Sequence, residues 1–322
     1  MNAPQSNFTE ELSTLIDDEL SVPVTNASRA MSESLLDRYG DSVLGILYYG
    51  SCFRTGTEKD GILDIFVIVD SYQNVYSKSV LAIANKLLPP NVFYYEMEYE
   101  GDTLRTKYAV ISLEQFIHRN SPRCFHTFYW ARFAQPCALT YVNNEQTRKQ
   151  IVDAIQVALK TFIDAVLPIL PPYFDAETLW ILGLSASYRT ELRPESLGAS
   201  ARLVEKNLSR YRAVTQLSLA ATGSAGTLYG SNDPPRYVAE LSPLERWKGR
   251  QTWRVRRFQG KLINLLRIIK AAFTFDGGVD YVLWKIERHS GVKVEATPML
   301  RRHPLLTCWP TVWRLYRAGA FR

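Results

Sequence analysis

The chain has 322 residues, with 38 Lys and Arg against 32 Asp and Glu, which gives a formal net charge of +6. Hydrophobic residues make up 46% and charged residues 22% of the chain, which is typical of a folded protein and argues against a disordered one. The charge is uneven, because residues 246–322 hold 17 basic and 4 acidic residues, a net +13, so the other residues carry −7. A basic C-terminal region on an acidic body predicts an anionic partner, either a nucleic acid or a phospholipid surface.

Several protein classes are not supported by the sequence. No run of eighteen apolar residues occurs, which argues against a membrane-spanning helix. The N-terminal segment "MNAPQSNFTEELSTLIDDEL" lacks the basic and apolar regions of a signal peptide and is too acidic for a transit peptide. The four cysteines form no C-x-x-C pair, so neither a zinc site nor a disulfide framework is predicted. We therefore expect a cytoplasmic protein.

The sequence patterns in the first half of the chain predict helices together with strands that form one sheet. Residues 8–38 favour helices, the second of which opens near Asn26. The apolar runs "SVLGILYY" and "ILDIFVIVD" are expected to be buried strands, and residues 72–88 predict an amphipathic helix that Pro89 and Pro90 end. "VFYYEMEYE" and "LRTKYAVISL" flank the turn signal "GD" and predict a β-hairpin.

The sequence patterns in the second half of the chain predict mainly helices. From about Glu145 the apolar residues recur at helical spacing, and two further helical patterns precede a Gly-, Pro- and Ser-rich loop, "TGSAGTLYGSNDPPRY". We predict an α+β fold, in which a mixed sheet with helices is followed by a mainly helical second domain and a basic amphipathic C-terminal region. The predicted domains are residues 1–145, 146–245 and 246–322.

A Gly-Ser turn and a lone acid mark the first two predicted strands. Gly50-Ser51 follows the first strand, and Asp64 lies near the start of the second, where an unpaired carboxylate would destabilise a buried strand. Nucleotidyl transfer requires close backbone approach to a triphosphate and carboxylates that hold Mg²⁺ across the phosphates. Polymerase-β-like nucleotidyltransferases have this layout of strand, Gly-Ser turn, loop and acid-bearing strand. Gly50 and Ser51 would then hold phosphate. Arg54 would neutralise phosphate charge, and Asp64 would be the first metal ligand.

The second metal ligand is not fixed by this pattern. The residues two positions on either side of Asp64 are apolar, so the two-acid pattern of the superfamily is missing. Glu96 and Glu98 lie on one face of the next predicted strand by its period of two, and Asp102 lies at its turn. The second metal ligand must therefore come from outside the Asp64 strand, and these three acids are the candidates. The alternative is that Glu96 and Glu98 form a solvated strand face.

Motifs in order along the chain resemble those of one family. They are Tyr49-Gly50-Ser51, Leu63-Asp64-Ile65 with an apolar run ending in Val69-Asp70, "VFYYE" with Asp102, "KYAVIS" from Lys107, "ARFAQPCAL", "GLSASYRTELR", "LVEKNLSRYR" and "KAAFTF" from Lys270. The chain thereby resembles the mitochondrial translocator assembly and maintenance protein family, the soluble-type CTP:phosphatidate cytidylyltransferases, as a divergent member of bacterial type. It departs from that pattern in having Glu96 in place of an asparagine, and in lacking a His-Tyr-Ser motif between the Asp64 strand and the Tyr-Tyr strand.

The resemblance implies that the chain transfers the cytidylyl group of CTP to phosphatidic acid, giving CDP-diacylglycerol and pyrophosphate with Mg²⁺ as cofactor. The implied catalytic residues are Asp64, Lys107 and Ser51. The implied nucleotide-binding residues are Gly50, Ser51, Arg54, Arg193 and Asn207. The implied metal ligands are Asp64 with Glu96 or Asp102. Residues 1–145 would be the nucleotidyltransferase domain, and residues 146–245 would complete the cleft. Arg193 and Asn207 either contact the nucleotide or lipid phosphate or hold the two domains together.

A membrane-borne acceptor agrees with the C-terminal region, which mixes basic and aromatic residues as do helices that lie in the interface of anionic membranes. The predicted membrane contacts are Arg256, Arg257, Lys261, Trp309, Trp313 and Arg314. Because each Lys or Arg near such a surface contributes about 1 kcal/mol, we expect peripheral association with the inner membrane. The alternative is that residues 250–273 are a core helix with a basic solvent face, and that the residues after 296 form a packed cap or are disordered.

Rival functions remain open at this point. A nucleotidyltransferase with another acceptor, such as a different lipid phosphate, a sugar phosphate or a small antibiotic, would have the same turn and acid. The second rival is a nucleic-acid-binding protein that uses the net +13 of the C-terminal region, and the third is a non-catalytic protein with an inactive metal site. We expect no nucleic-acid partner, because the basic residues are interleaved with large aliphatics, as in "LINLLRII", and no nucleic-acid-binding motif is visible.

Overall fold

The structure, a computed structural model, describes residues 3–58, 61–76, 79–191, 197–222, 227–228, 235–274 and 297–302, together with residues 310, 313 and 317. It is an α+β protein, with a mixed sheet of parallel and antiparallel strands and extensive helices, which confirms the predicted fold class. The chain forms two compact units, each made of two segments. We call residues 24–112 and 266–322 the sheet unit, and residues 1–23 and 113–265 the helical unit.

The elements are numbered in chain order. The helices are α1 (Ala3–Leu20), α2 (Asn26–Tyr39), α3 (Gly50–Thr55), α4 (Tyr72–Val75), α5 (Ser79–Leu87), α6 (Leu113–Asn120), α7 (Trp130–Phe133), α8 (Glu145–Val166), α9 (Ala176–Tyr188), α10 (Leu197–Glu205), α11 (Leu208–Thr222), α12 (Pro243–Thr274) and α13 (Pro298–Arg302). The strands are β1 (Val43–Tyr49), β2 (Leu63–Val69), β3 (Asn91–Tyr99), β4 (Asp102–Ser112), β5 (Cys137–Val142), β6 (Tyr173–Asp175), β7 (Thr227–Leu228) and β8 (Arg236–Val238).

Four strands of the sheet unit lie in the order β3-β4-β2-β1. The β2–β4 pair is parallel, whereas β1–β2 and β3–β4 are antiparallel. The central strand β2 is rich in β-branched residues, and Ile65, Val67 and Val69 are fully buried. The predicted hairpin is confirmed, because β3 ends at Tyr99 and β4 begins at Asp102. The sheet therefore holds β2, which carries the predicted acid, rigidly between two neighbours.

The helical unit packs its helices around α8 and α9. Asn144 caps α8 by accepting a hydrogen bond from the Thr147 N–H at 2.8 Å, which satisfies one of the free N–H groups at the start of the helix. The rings of Phe162 on α8 and Trp180 on α9 stack with centroids 4.7 Å apart, and Trp180 is fully buried. A small antiparallel sheet in the order β6-β8-β7 completes this unit.

The two units are discontinuous in sequence, so the predicted borders at 145/146 and 245/246 do not coincide with the borders of the units. Helix α1 belongs to the helical unit because it packs on α8 and α11. Its Glu19 forms an ion pair with Arg210 at 2.7 Å, and its Asp17 pairs with Arg148 at 2.8 Å. Contacts between residues so distant in the chain cannot be read from local composition.

Among the described residues, none of the helices combines the length and the apolar character that a membrane crossing requires.

The C-terminal residues of α12 bind the segment that follows α5. Lys270 Nζ donates hydrogen bonds to the carbonyl oxygens of Leu88 at 2.5 Å and Pro90 at 2.7 Å. The neighbouring Arg267 donates to the carbonyl oxygen of Pro89 at 2.7 Å. Burial lowers the pKa of Lys270 to about 7, and the positive charge of Arg267 acts in the same direction. The folded protein therefore disfavours the charged form of this lysine.

We expect stability to rise with pH relative to the Lys270→Met variant. The unfolded lysine keeps its proton to about pH 10.4, whereas the folded one loses it near pH 7. The folded state thus bears the full cost of the buried ammonium below about pH 7, and this cost falls by about 4 kcal/mol as the pH rises to about 10. Urea unfolding of both proteins at pH 6.5, 8 and 9.5 measures this difference. Lys86→Met, which removes an exposed lysine on α5, is the control, and a difference that does not vary with pH would contradict the expectation.

Candidate functional site

Gly50 and Asp64 are in direct contact at the end of β1. Gly50, the first residue of α3, has a φ of +90°, a conformation that glycine adopts readily and other residues rarely do. The preceding residue, Tyr49, is paired with Asp64 across the antiparallel strands. A methyl group on Gly50 would lie only 2.3 Å from Asp64 Oδ2 and 2.9 Å from Asp64 Cβ. The turn therefore fits against the carboxylate only because position 50 has no side chain.

Lys107 faces the same carboxylate from the parallel strand β4. Asp64 and Lys107 are directly paired in the β2–β4 register, and Lys107 Nζ lies 3.2 Å from Asp64 Oδ1. The side chains are 22% exposed for Asp64 and 26% exposed for Lys107, so water and dissolved ions reach both. One carboxylate oxygen thus borders the Gly50 turn, while the other is paired with an ammonium group.

A second polar group lies beside this pair on the same face of the sheet. Tyr94 is paired with Lys107, and Glu96 is paired with Arg105, in the β3–β4 register. Tyr94 donates its hydroxyl proton to Glu96 Oε1 at 2.5 Å, and Arg105 Nε lies 3.3 Å from the same oxygen. Burial, followed by the hydrogen bond to Glu96, raises the pKa of Tyr94. Tyr94 therefore remains a proton donor at neutral pH.

The three predicted metal ligands do not converge in the structure. Strand β4 lies between the strand of Glu96 and the strand of Asp64, and Glu96 is paired with Arg105, two residues from the Lys107 that is paired with Asp64. The Cα atoms of Glu96 and Asp64 are therefore more than about 10 Å apart. Asp102 is five residues from Lys107 along β4, a distance of about 17 Å. Glu96 is instead held by Tyr94 and Arg105, because strand alternation brings these three side chains together. Among the described residues, no group of three or more His, Cys, Asp or Glu side chains is placed to hold a metal ion.

The Asp64 carboxylate nevertheless has the chemistry that Mg²⁺ requires of a protein ligand. Mg²⁺ prefers hard oxygen donors and is usually bound by one or two carboxylates together with substrate phosphates and water. Asp64 is partly exposed beside a turn where the backbone has no Cβ. The residues present therefore fit a site in which the protein contributes a single carboxylate and the substrate contributes the rest.

Ser51 and Arg54, two further predicted phosphate ligands, lie on α3 directly after Gly50. Ser51 is exposed, and its carbonyl oxygen accepts a hydrogen bond from Thr55 Oγ1 at 2.9 Å. Arg54 is half-buried in the last turn of this six-residue helix. Both residues are thus within one or two turns of the Gly50–Asp64 contact, as their sequence positions require.

Glu58 is a buried acid near the site that the sequence interpretation missed. Its carboxylate accepts hydrogen bonds from the hydroxyl groups of Tyr48, at 2.9 Å, and of Thr25. Burial, and then the charge of Glu58, raise the pKa of Tyr48. The loop that joins α3 to β2 is thereby attached to β1. Nothing in the polar segment "TGTEKDG" distinguishes Glu58 from its charged neighbours, so sequence alone offers no signal for it.

The predicted nucleotide-binding residue Asn207 lies in the helical unit, between α10 and α11. Its N–H donates to the Val204 carbonyl, and its own carbonyl accepts from the Tyr211 N–H, each at 3.0 Å. The structure thus gives this asparagine a backbone role in the connection between two helices. Arg193 lies outside the described residues.

Two of the family-like motifs, "ARFAQPCAL" and "GLSASYRTELR", contact each other within the helical unit. Tyr188 donates its hydroxyl proton to Gln135 Oε1 at 3.1 Å. Arg132 is ion-paired with Glu191 at 3.5 Å, and its guanidinium group lies 3.8 Å from the centre of the Phe128 ring. These motifs therefore form one connected polar cluster.

The predicted membrane residues occupy different environments. Arg256 packs inside the helical unit, where its guanidinium group lies 5.1–5.3 Å from the ring centres of Phe125, Trp130 and Trp253. Burial lowers the pKa of Arg256 to about 10. Arg256 therefore makes cation–π contacts within the helical unit, because it lies on the face of α12 that packs against this aromatic cluster. Arg257, Lys261 and Trp313 are exposed, whereas Trp309 and Arg314 lie outside the described residues.

Helix α12 also carries an exposed apolar row. We define the row as Val255, Phe258, Leu262 and Leu265, which recur at helical spacing and are between 48% and 76% exposed. Exposed basic residues flank the row at the position before each of its first three members: Arg254, Arg257 and Lys261. The apolar row and its basic flank together form an amphipathic surface facing solvent.

Comparison of the chain with protein-family models gives no match, and comparison with curated proteins gives no match either.

Proposed function

We propose that the chain is a Mg²⁺-dependent nucleotidyltransferase that converts CTP and phosphatidic acid into CDP-diacylglycerol and pyrophosphate at a membrane surface. The observation that supports this proposal best is the contact between the Gly50 turn and the Asp64 carboxylate. The contact places the main chain of the turn beside a partly exposed carboxylate, so a Mg²⁺ ion held by Asp64 would bring phosphate oxygens close to that turn. The motif resemblance supports the choice of CTP and phosphatidic acid.

The proposed reaction is a substitution at phosphorus. An oxygen of the phosphatidate phosphate forms a bond to the α-phosphorus of CTP, and the bond from that phosphorus to the bridging α,β-oxygen breaks. Pyrophosphate leaves with the electron pair of the broken bond. Because the attacking oxygen is already an anion, the protein does not need a strong base. Its task is to align the two phosphates and to balance their negative charge.

The residues of the sheet unit fit these tasks. The glycine backbone at position 50 and the Ser51 hydroxyl would bind the triphosphate, and Arg54 would balance its charge. Asp64 would hold Mg²⁺, which when bound would neutralise the phosphates and favour the departure of pyrophosphate. Lys107, next to Asp64, would bind a phosphate oxygen through its ammonium group. Tyr94 and Arg105 would keep Glu96 in place on the same face.

Pyrophosphate release with CTP, Mg²⁺ and phosphatidate liposomes tests the proposal. Parallel reactions with ATP, GTP and UTP identify the base, and reactions with other lipid phosphates and with small phosphorylated acceptors identify the acceptor. Release with CTP and phosphatidate supports the full proposal. Release with a different acceptor supports the alternative, a nucleotidyltransferase for another lipid phosphate or a small molecule. If no acceptor gives release above the rate without enzyme, the proposal of an enzyme is wrong.

The apolar row on α12 supports peripheral membrane association, including association with an anionic inner membrane. Partial insertion of Phe258 and Leu262 would bury apolar side chains that are now 76% and 48% exposed. Each such side chain gains about 1.5–3 kcal/mol when it is fully removed from water. Arg257 and Lys261 would at the same time approach anionic headgroups.

We expect the double variant Phe258→Ser/Leu262→Ser to lose at least about tenfold in affinity for phosphatidate-containing liposomes. Flotation at several lipid concentrations measures the affinity, and thermal unfolding checks that the fold is unchanged. Ile83→Ser is the matched control, because Ile83 is a 57% exposed apolar residue on α5 that follows an alanine and not a basic residue. Equal losses in the control and the double variant would show that the row has no special role.

A further inference from the structure

We propose that Lys107 is the resting counter-ion of Asp64, and that it transfers from the carboxylate to the nucleotide's phosphates when a divalent cation binds Asp64. This inference depends on the proposed function, because it concerns the same carboxylate. It adds an order of events, in which metal binding releases the lysine that then binds phosphate.

The geometry of the pair supports such an exchange. The strands β2 and β4 hold Asp64 and Lys107 directly opposite each other, so the ion pair forms without any ligand. Lys107 Nζ is 3.2 Å from Oδ1, an oxygen of the carboxylate that would hold a metal ion. Since a divalent cation and an ammonium group cannot share one carboxylate oxygen without strong repulsion, a bound cation displaces the lysine.

The exposure and the chemistry of the two side chains permit the displacement. Both are about three-quarters buried, so the pair is stable enough to persist at rest, yet solvent reaches it. Lysine has a flexible four-carbon stem and a compact charge, so its ammonium group moves several ångströms while the backbone stays in the sheet. An arginine in a bidentate pair would be held more firmly.

The neighbouring acid on this face already has a cation of its own. Glu96 Oε1 is 3.3 Å from Arg105 Nε and accepts the Tyr94 hydroxyl at 2.5 Å. A displaced Lys107 therefore finds this acid already neutralised by Arg105. A triphosphate carries several negative charges, and it is the stronger acceptor for the released ammonium group.

Arg105 also provides the matched control for the experiment. It projects from the same face of β4, two residues before Lys107, and carries the same charge, but it pairs with Glu96. Lys107→Met and Arg105→Met thus remove one positive charge each from one strand face. Only the first variant removes the group that competes with a metal ion for Asp64.

The test measures Mn²⁺ binding to the full chain by electron paramagnetic resonance, since Mn²⁺ accepts the same oxygen ligands as Mg²⁺. We expect Lys107→Met to bind Mn²⁺ about tenfold more tightly than the wild type, and Arg105→Met to change the affinity less than twofold. Lys107→Gln, which keeps a polar side chain, should resemble Lys107→Met, and thermal unfolding identifies any variant that fails to fold.

A second measurement separates this inference from the proposed function. In the wild type, Mn²⁺ should increase the affinity for a non-hydrolysable CTP analogue, and this increase should be smaller in Lys107→Met, because no lysine is released there. If the wild type binds Mn²⁺ and nucleotide but Lys107→Met binds Mn²⁺ no more tightly, the exchange is wrong while the proposed function stands. Equal gains in Lys107→Met and Arg105→Met would also overturn the exchange. If neither the wild type nor any variant binds Mn²⁺ or the CTP analogue, both the exchange and the proposed function are wrong.

Discussion

Asp64→Asn is expected to reduce CTP-dependent pyrophosphate release by at least about a thousandfold, which corresponds to about 4 kcal/mol of transition-state stabilisation. The amide is nearly the same size as the carboxylate, so it still fits beside Gly50. It has no negative charge, however, and it is a weak ligand for Mg²⁺. The loss should therefore appear in the chemical step and in metal affinity rather than in the amount of folded protein.

The stability of the Asp64→Asn variant should change by no more than about 1 kcal/mol, because the lost ion pair with Lys107 is partly exposed to solvent. Thermal unfolding measures this change, and single-turnover kinetics measures the catalytic step. Glu98→Gln is the control, since Glu98 is an exposed acid on the same face of the sheet, where it accepts a hydrogen bond from Thr103. Substantial activity in Asp64→Asn, with Glu98→Gln equally active, would show that this carboxylate does not take part in the reaction.

The local features of the sheet unit could be predicted from the sequence. The apolar runs that became β1 and β2 have too many β-branched and aromatic residues for a surface helix, and the end of α5 before Pro89 follows from the missing N–H of proline. The Gly-Ser turn and Asp64 were also recognisable, because a lone acid at the start of a buried strand requires a partner. These features depend on residues that are close together in the chain.

The partners of the predicted acid could not be derived in the same way. Lys107 pairs with Asp64 because β2 and β4 are parallel and in one particular register, and that register depends on the 42 residues between Asp64 and Lys107 in the chain. The sequence interpretation named Glu96 or Asp102 as the second metal ligand, and placed Glu96 on one face of its strand from the alternation in β3. Alternation assigns a face but not a distance across two strands, so it did not show that Arg105 and Tyr94 hold Glu96.

The second large effect is expected at Gly50. Its φ of +90° disfavours any side chain by about 1–2 kcal/mol, and a methyl group there would lie 2.3 Å from Asp64 Oδ2. Since real Cβ atoms essentially never lie so close to another atom, either the turn or the Asp64 side chain must move. We expect Gly50→Ala to reduce activity at least about a hundredfold, because a displacement of about 1 Å in a catalytic group is enough for such a loss.

Gly56 provides a control for the backbone contribution alone. It ends the same helix α3 with a φ of +66°, but a methyl group there would have no atom within 4 Å. Gly56→Ala should therefore show the conformational cost of a positive φ, a loss of about 1–2 kcal/mol in unfolding free energy, with activity within about threefold of the wild type. Gly50→Ala should show the same conformational cost together with the loss of activity.

The comparison of these two glycine variants tests whether the Gly50–Asp64 contact organises the site. If both lose activity equally, the effect arises from a distorted α3 and not from the carboxylate. If Gly50→Ala is destabilised like Gly56→Ala yet remains fully active, the turn does not position a substrate against Asp64. Combining Gly50→Ala with Asp64→Asn measures the coupling of the two residues directly, because the effects of substituting two residues that act as a unit do not add. We expect the double variant to be about as active as Asp64→Asn alone, since a side chain added at position 50 would reduce activity mainly by displacing the Asp64 carboxylate.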